Sequence, residues 1–218
     1  MKIYTFHFAG GSKYSYNKIL PIQCIGIEVP RKMNISFEEF VLSNTQKLLS
    51  VKNDEEDYVL YGHSMGALVA FLVCHNLKEM GCKLPKKLIL SGRKPPSSLR
   101  DNPISHLPDE IFWKEIVKMG GIPNEINNYP ELIYYYLPLL KYDFKLIENY
   151  YYKKKDKLKI PFDIFFGSNE STIEVMAGWK NETVKTVNIR QLEGDHFFIY
   201  KHANYFKEYF NGIINDKD

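Results

Sequence analysis

With 218 residues, 44% hydrophobic and 25% charged, the chain has the composition of a single globular domain rather than a disordered or fibrous protein. A formal net charge of +3 is too mild to argue for nucleic acid, and no apolar run approaches membrane-spanning length. Cys24, Cys74 and Cys82 show no metal-ligand spacing, so a reduced cytoplasmic protein without structural zinc is expected, and its first residues read as a strand, not a signal peptide.

Taken in order, the chain alternates strands with helices. Residues 2–8 (KIYTFHF) form an apolar-rich strand, followed by the turn Ala9-Gly10-Gly11-Ser12. Residues 24–29 are a second strand, stopped by Pro30. Ser36 is an expected N-cap, with Glu39 completing a capping box, and that helix runs to about Leu49. Next come a strand over 58–62, a helix from Met65 to Met80 closed by Gly81, and a strand over 87–92. Residues 162–167 and 183–192 read as strands, and the amphipathic segment ANYFKEYFNGII closes the chain. Short hydrophobic strands separated by helices predict a mostly parallel sheet covered on both faces. No internal repeat appears. The basic run Lys153 to Lys159 is read as a solvated connector or a face for an acidic partner.

Residues 93–160 break the rhythm. They hold no convincing strand and are rich in apolar and aromatic residues, which suits an extra helical layer or a lid over the strand ends, where ligands bind in open α/β sheets. Ile111, Phe112, Trp113, Ile116 and Met119, then Leu132 to Leu140, place apolar groups on nearly every helical face. A helix packed on one side needs only one stripe, so a second buried face, open to a ligand, is the sharper expectation.

The sequence G-x-S-x-G occurs at Gly62-His63-Ser64-Met65-Gly66, between an apolar strand and a long helix. A serine held on that sharp turn needs glycine on both sides, because larger neighbours clash there. The helix start also offers the N–H of Met65 to a developing oxyanion. A serine hydroxyl needs a base, and in this topology the base follows the last strand. His196, in Leu192-Glu193-Gly194-Asp195-His196, holds that position. His63 lies inside the elbow, His75 packs on the following helix, His7 ends the first strand, and His106 and His202 sit in the insertion and near the final helix. The acid that orients the imidazole belongs after an earlier strand, and Glu170 stands three residues beyond Gly167. Asp163 lies within a strand, Glu174 starts a helix, and Asp195 adjoins the histidine too closely for good geometry at Nδ1. Arg93-Lys94-Pro95-Pro96 follows the strand over 87–92, so no acid stands directly at that strand end. The turn after the first strand offers the second oxyanion donor, the N–H of Ala9, or is an ordinary loop.

Five segments in order, HFAGGS, GHSMGALVAF, SHLPDEIFWKEIVKMGGIP, LPLLKYDFKLIENYYY and GDHFFI, together resemble the external (type II) thioesterases of nonribosomal peptide and polyketide synthases. The segment 107–123 makes the resemblance specific, since simple esterases of the fold lack it. The resemblance implies an α/β-hydrolase that clears misprimed acyl groups from the phosphopantetheine thiol of carrier domains. It implies Ser64 as nucleophile, His196 as base, the amides of Ala9 and Met65 as oxyanion hole, and the insertion as lid. Family members usually carry aspartate where this chain has Glu170, their loop between positions matching Gly167 and Trp179 is about a residue longer, and strands found earlier in larger hydrolases are expected to be missing. No metal or cofactor is expected, the phosphopantetheine being part of the substrate. A monomer whose partners are carrier domains, with no nucleic acid and no membrane, is the expected assembly. A general acyl-CoA thioesterase or carboxylesterase, a non-catalytic carrier-binding scaffold and an acyltransferase are the rival readings.

Overall fold

A computed structural model describes the chain except residues 33, 99–101, 123–125, 127 and 216–218. Parts of the predicted 93–160 insertion, including Pro123, therefore lie outside the described residues. In chain order the elements are β1 (Lys2–Phe6), β2 (Ile25–Ile27), α1 (Phe37–Val51), β3 (Tyr58–His63), α2 (Met65–Glu79) and β4 (Lys87–Ser91). The helices α3 (Asp109–Lys118) and α4 (Pro130–Glu148) fill the interval before β5 (Phe162–Gly167). A short α5 (Ile173–Met176), a 3-10 turn (Ala177–Asn181), β6 (Val187–Leu192), α6 (Phe198–Lys201) and α7 (Ala203–Asn215) follow.

The six strands make one sheet in the order β2-β1-β3-β4-β5-β6, parallel throughout. Alternate residues feed two cores. Leu60, Leu88, Leu90, Phe162, Ile164 and Phe166 face α1 and α2, while Val59, Tyr61, Ile89 and Phe165 face α7 and the segment carrying Tyr16 and Ile19. Helix α2 lies against the sheet beneath α1, and nearly all of its residues are buried. That explains why MGALVAFLVCHNL is apolar all round rather than striped. It ends as the sequence suggests: Gly81 takes φ +66, and the N–H groups of Gly81 and Cys82 donate to the carbonyls of Lys78 and Leu77. The capping box also forms, with Glu39 N–H to Ser36 Oγ at 3.1 Å and Ser36 N–H to Glu39 Oε2 at 2.7 Å.

Three strands are shorter than their sequence patterns by two residues or more. β1 stops at Phe6 because the start of α2 crowds its end: the Phe6 carbonyl oxygen lies where a side chain at position 66 would be. β2 covers only Ile25–Ile27, the residues that face Tyr4, Thr5 and Phe6 in register. β6 begins at Val187, opposite Phe162, rather than at residue 183. Before it, Thr183 bridges to Leu158, and its hydroxyl donates to the carbonyls of Leu158 and Ile160.

Between β4 and β5, α3 and α4 build a small core of their own from Phe112, Trp113, Ile116 and Leu140. The C-terminal half of α4 is tied to the main body by Leu146, which sits in the large core, and by Tyr142, whose hydroxyl donates to the Lys32 carbonyl at 2.6 Å. All three cysteines are free thiols. No helix among the described residues is long and apolar enough to cross a membrane.

Candidate active site

Ser64 follows β3 directly and precedes α2. Its backbone has φ 55 and ψ −116, a conformation that a residue with a side chain adopts only under constraint. The constraint is visible on both sides. A Cβ on Gly62 would lie 2.0 Å from the Gly66 carbonyl oxygen, and one on Gly66 would lie 1.9 Å from the Phe6 carbonyl oxygen. The two glycines therefore let the turn close against β1 and hold Ser64 out of the main chain's path. Gly66→Ala should destabilise the fold by roughly 3 kcal/mol or more, since backbone rather than a movable side chain blocks the added methyl. Gly81→Ala, with φ +66 but nothing within 4 Å, should cost only about 1 kcal/mol. Urea unfolding midpoints measure both.

His196 lies just beyond β6, and Glu170 just beyond β5. The structure brings them together: His196 Nδ1 and Glu170 Oε1 are 2.5 Å apart. The second carboxylate oxygen accepts the Gly167 N–H at 3.3 Å, and the Glu170 N–H donates to the Gly167 carbonyl, so the longer side chain is folded back over its own turn. With Nδ1–H directed at a carboxylate, Nε2 is left as the imidazole's acceptor. Ser64, Ala9, Glu170 and His196 all line one cavity of about 400 Å³. The Met65 side chain is buried in the main core, and its N–H belongs to the first turn of α2, where a helix supplies no acceptor of its own.

The competing carboxylates are engaged elsewhere. Asp195 accepts the N–H of Phe197 at 2.8 Å, and Asp163 bonds Lys87, Asn188 and Tyr209. Glu174 is exposed in the first turn of α5. Among the other histidines, His63 does not line the cavity but packs beneath His196, with ring centres 4.9 Å apart. Its Nδ1 contacts Ser91 Oγ at 2.9 Å, and burial, reinforced by His196, lowers its pKa well below the usual histidine value. A neutral ring under His196 adds no competing charge. His75 packs on Phe71, and the half-buried His202 contacts the Glu193 carbonyl.

Two aspects escaped the sequence reading. Met119, one of the residues expected to present a second face, does line the cavity, but its other apolar lining from this region comes from Phe144, Ile147, Tyr150 and Tyr152, not from the run 132–140. Within that run Tyr134 and Tyr135 are 83% and 65% exposed, and Leu137 lines a separate groove between α3 and α4. A helix with apolar groups all round here turns some of them to solvent. The second is an ion pair beside the cavity. Asp143 of α4, buried, meets Arg31 and accepts the Gly10 N–H at 2.8 Å. One signal was available: Leu140, Asp143 and Leu146 recur every third residue, which puts an acid on the buried stripe.

A parallel sheet with a strained serine between strand and helix, and a carboxylate-bound histidine after later strands, is an α/β-hydrolase. A model of the thioesterase domain matches residues 1–214, and the chain belongs to that family. It is a hydrolase of thioesters. The gramicidin S biosynthesis protein GrsT of Aneurinibacillus migulanus is 27% identical, across 92% of this chain and 84% of that protein. The crystal structure of ClbQ, from the colibactin NRPS/PKS pathway, superposes with a TM-score of 0.85 at 26% identity, covering 98% of this chain and 96% of ClbQ. YbtT, the type II thioesterase of the yersiniabactin NRPS/PKS pathway, gives 0.80 at 26% identity over 98% and 91%.

Proposed function

We propose that this protein hydrolyses acyl or aminoacyl thioesters carried on the phosphopantetheine arm of carrier domains, through an acyl-serine intermediate on Ser64. The observation that carries the reading is the meeting of Ser64, Ala9 and the His196–Glu170 pair on one cavity, in a chain of the thioesterase family. The carrier-bound substrate follows from likeness to proteins of NRPS/PKS pathways.

In this reaction His196 Nε2 removes the Ser64 hydroxyl proton as Oγ attacks the thioester carbonyl. The oxyanion that forms takes hydrogen bonds from the N–H groups of Ala9 and Met65. Collapse breaks the C–S bond, and His196 returns its proton to the departing thiolate. Water then attacks the acyl-serine, with His196 again as base, releasing the free acid and restoring Ser64. Glu170 holds the imidazole in the tautomer that keeps Nε2 available and stabilises the imidazolium. Each proton is moved by a protein side chain or by water, so no step calls for a metal or cofactor. The helices between β4 and β5 act as a lid that shapes the acyl site.

Relative turnover of acyl-carrier protein, acyl-CoA and a p-nitrophenyl ester by the purified enzyme tests this. The carrier-linked substrate is expected to give the highest kcat/KM. Equal or better use of acyl-CoA would make the protein a general acyl-CoA thioesterase. Failure of a fluorophosphonate to label Ser64 would leave only a carrier-binding scaffold.

A further inference from the structure

We infer that Asp143, together with Arg31, is a positioning residue for the oxyanion hole, holding the Ala9-Gly10-Gly11 turn from the underside of α4. The inference rests on the assignment of the Ala9 amide proposed above.

The carboxylate of Asp143 is 0% exposed. It accepts three hydrogen bonds: from Arg31 Nε at 2.9 Å, from Arg31 Nη2 at 2.7 Å and from the Gly10 N–H at 2.8 Å. Arg31 Nη2 also donates to the Gly11 carbonyl at 3.1 Å. The pair therefore grips one N–H and one C=O of the same two-glycine turn. Gly10 takes φ +75, and one helical turn before Asp143 the side chain of Leu140 occupies the space a Cβ there would need, 2.5 Å from it. Helix α4 thus fixes Gly10 twice, by a charge and by a steric stop. That grip holds the peptide joining Ala9 to Gly10, and the Gly11 N–H, which donates to the Phe8 carbonyl at 2.9 Å, ties the same turn to the Phe8–Ala9 peptide that carries the Ala9 N–H.

An ion pair that buries its carboxylate completely, as here with Arg31 left 22% exposed, is seldom a device for stability, because apolar residues of the same volume serve a fold as well or better. Here its partners explain it. A two-glycine turn has many conformations open to it, and an oxyanion donor works only when held at hydrogen-bond distance from an oxygen that exists in the transition state alone. Neither Asp143 nor Arg31 lines the cavity, so both act through the turn and not on the substrate.

The test compares wild type with Asp143→Asn, Arg31→Gln and Arg31→Lys. Competent sites are first counted by complete reaction of Ser64 with a fluorophosphonate, so that misfolded protein drops out of the comparison. On a p-nitrophenyl ester, kcat per titrated site should fall about 10- to 100-fold in Asp143→Asn, part of the loss expected for removing a whole oxyanion donor, with KM little changed. Affinity for a trifluoromethyl ketone, whose adduct with Ser64 carries an oxyanion, should fall by the same factor. Arg31→Lys, which keeps the charge but not the two-nitrogen grip, should lose less than Arg31→Gln. If Asp143→Asn yields no titratable protein, the two Arg31 variants decide alone. Values of kcat and ketone affinity within about twofold of wild type in the titratable variants overturn the inference, since even a partial loss of oxyanion binding exceeds that. A rise in KM matching the fall in kcat/KM, with kcat and ketone affinity unchanged, overturns it too. Wild type that the fluorophosphonate does not titrate would instead refute the Ser64 mechanism itself.

Discussion

Replacement of Ser64 by alanine is expected to reduce thioester turnover by roughly a millionfold, the loss seen when the nucleophile of a cooperating triad is removed. The residual rate would come from binding and oxyanion contacts alone. The fold should survive intact. Ser64 keeps its Cβ in alanine, so its positive φ costs the same in both proteins, and the elbow's shape is set by Gly62 and Gly66 rather than by the hydroxyl. Circular dichroism and the melting temperature should match wild type while turnover collapses. A variant that keeps more than a few per cent of turnover would exclude the acyl-serine route.

Glu170→Gln is the second large effect, expected to lower turnover by about 10³ to 10⁴, as loss of the orienting carboxylate does in other triads. Glutamine is nearly isosteric, so the 2.5 Å contact to His196 Nδ1 is kept in shape, but its amide cannot supply the charge that stabilises an imidazolium. It also allows the ring to settle in the other tautomer. Glu170→Asp should be milder, the charge being retained at a longer distance. Glu174→Gln and Asp195→Asn should stay within about threefold of wild type, because neither carboxylate reaches the ring. Steady-state kinetics on the four variants decide the acid: a crippled Asp195→Asn beside a healthy Glu170→Gln would transfer the role.

Much of this was legible in the chain because local sterics dictated it. Gly62 and Gly66 could be read as an elbow since no other residue fits between β3, α2 and the end of β1. Ser36 with Glu39, and Gly81 after α2, announced helix ends for the same reason: the chemistry that caps a helix is contained within a few residues. Glu170 was found by its distance from a strand end, and it meets His196 only 26 residues away. What stayed hidden depends on contacts between remote segments. Arg31 and Asp143 are 112 residues apart, and nothing near either names the other. The outward turn of Tyr134 and Tyr135 was equally illegible, because a helix apolar on every side does not say which side meets solvent. The late start of β6 reflects β5's own start at Phe162, a neighbour's property rather than its own.

β4 and β5 pair directly, Leu88 opposite Phe162, although the chain between them makes a long excursion through α3 and α4. A detour that leaves and re-enters at adjacent strands can change its length and composition at little cost in loop entropy and without shifting any strand's register. The cavity walls supplied by this detour could therefore differ while the strand ends bearing Ser64, Glu170 and His196 stay where they are. The freedom has one visible limit. The same detour carries Asp143, the acceptor of the Gly10 N–H, so a replacement without an acceptor there would leave that amide unpaired.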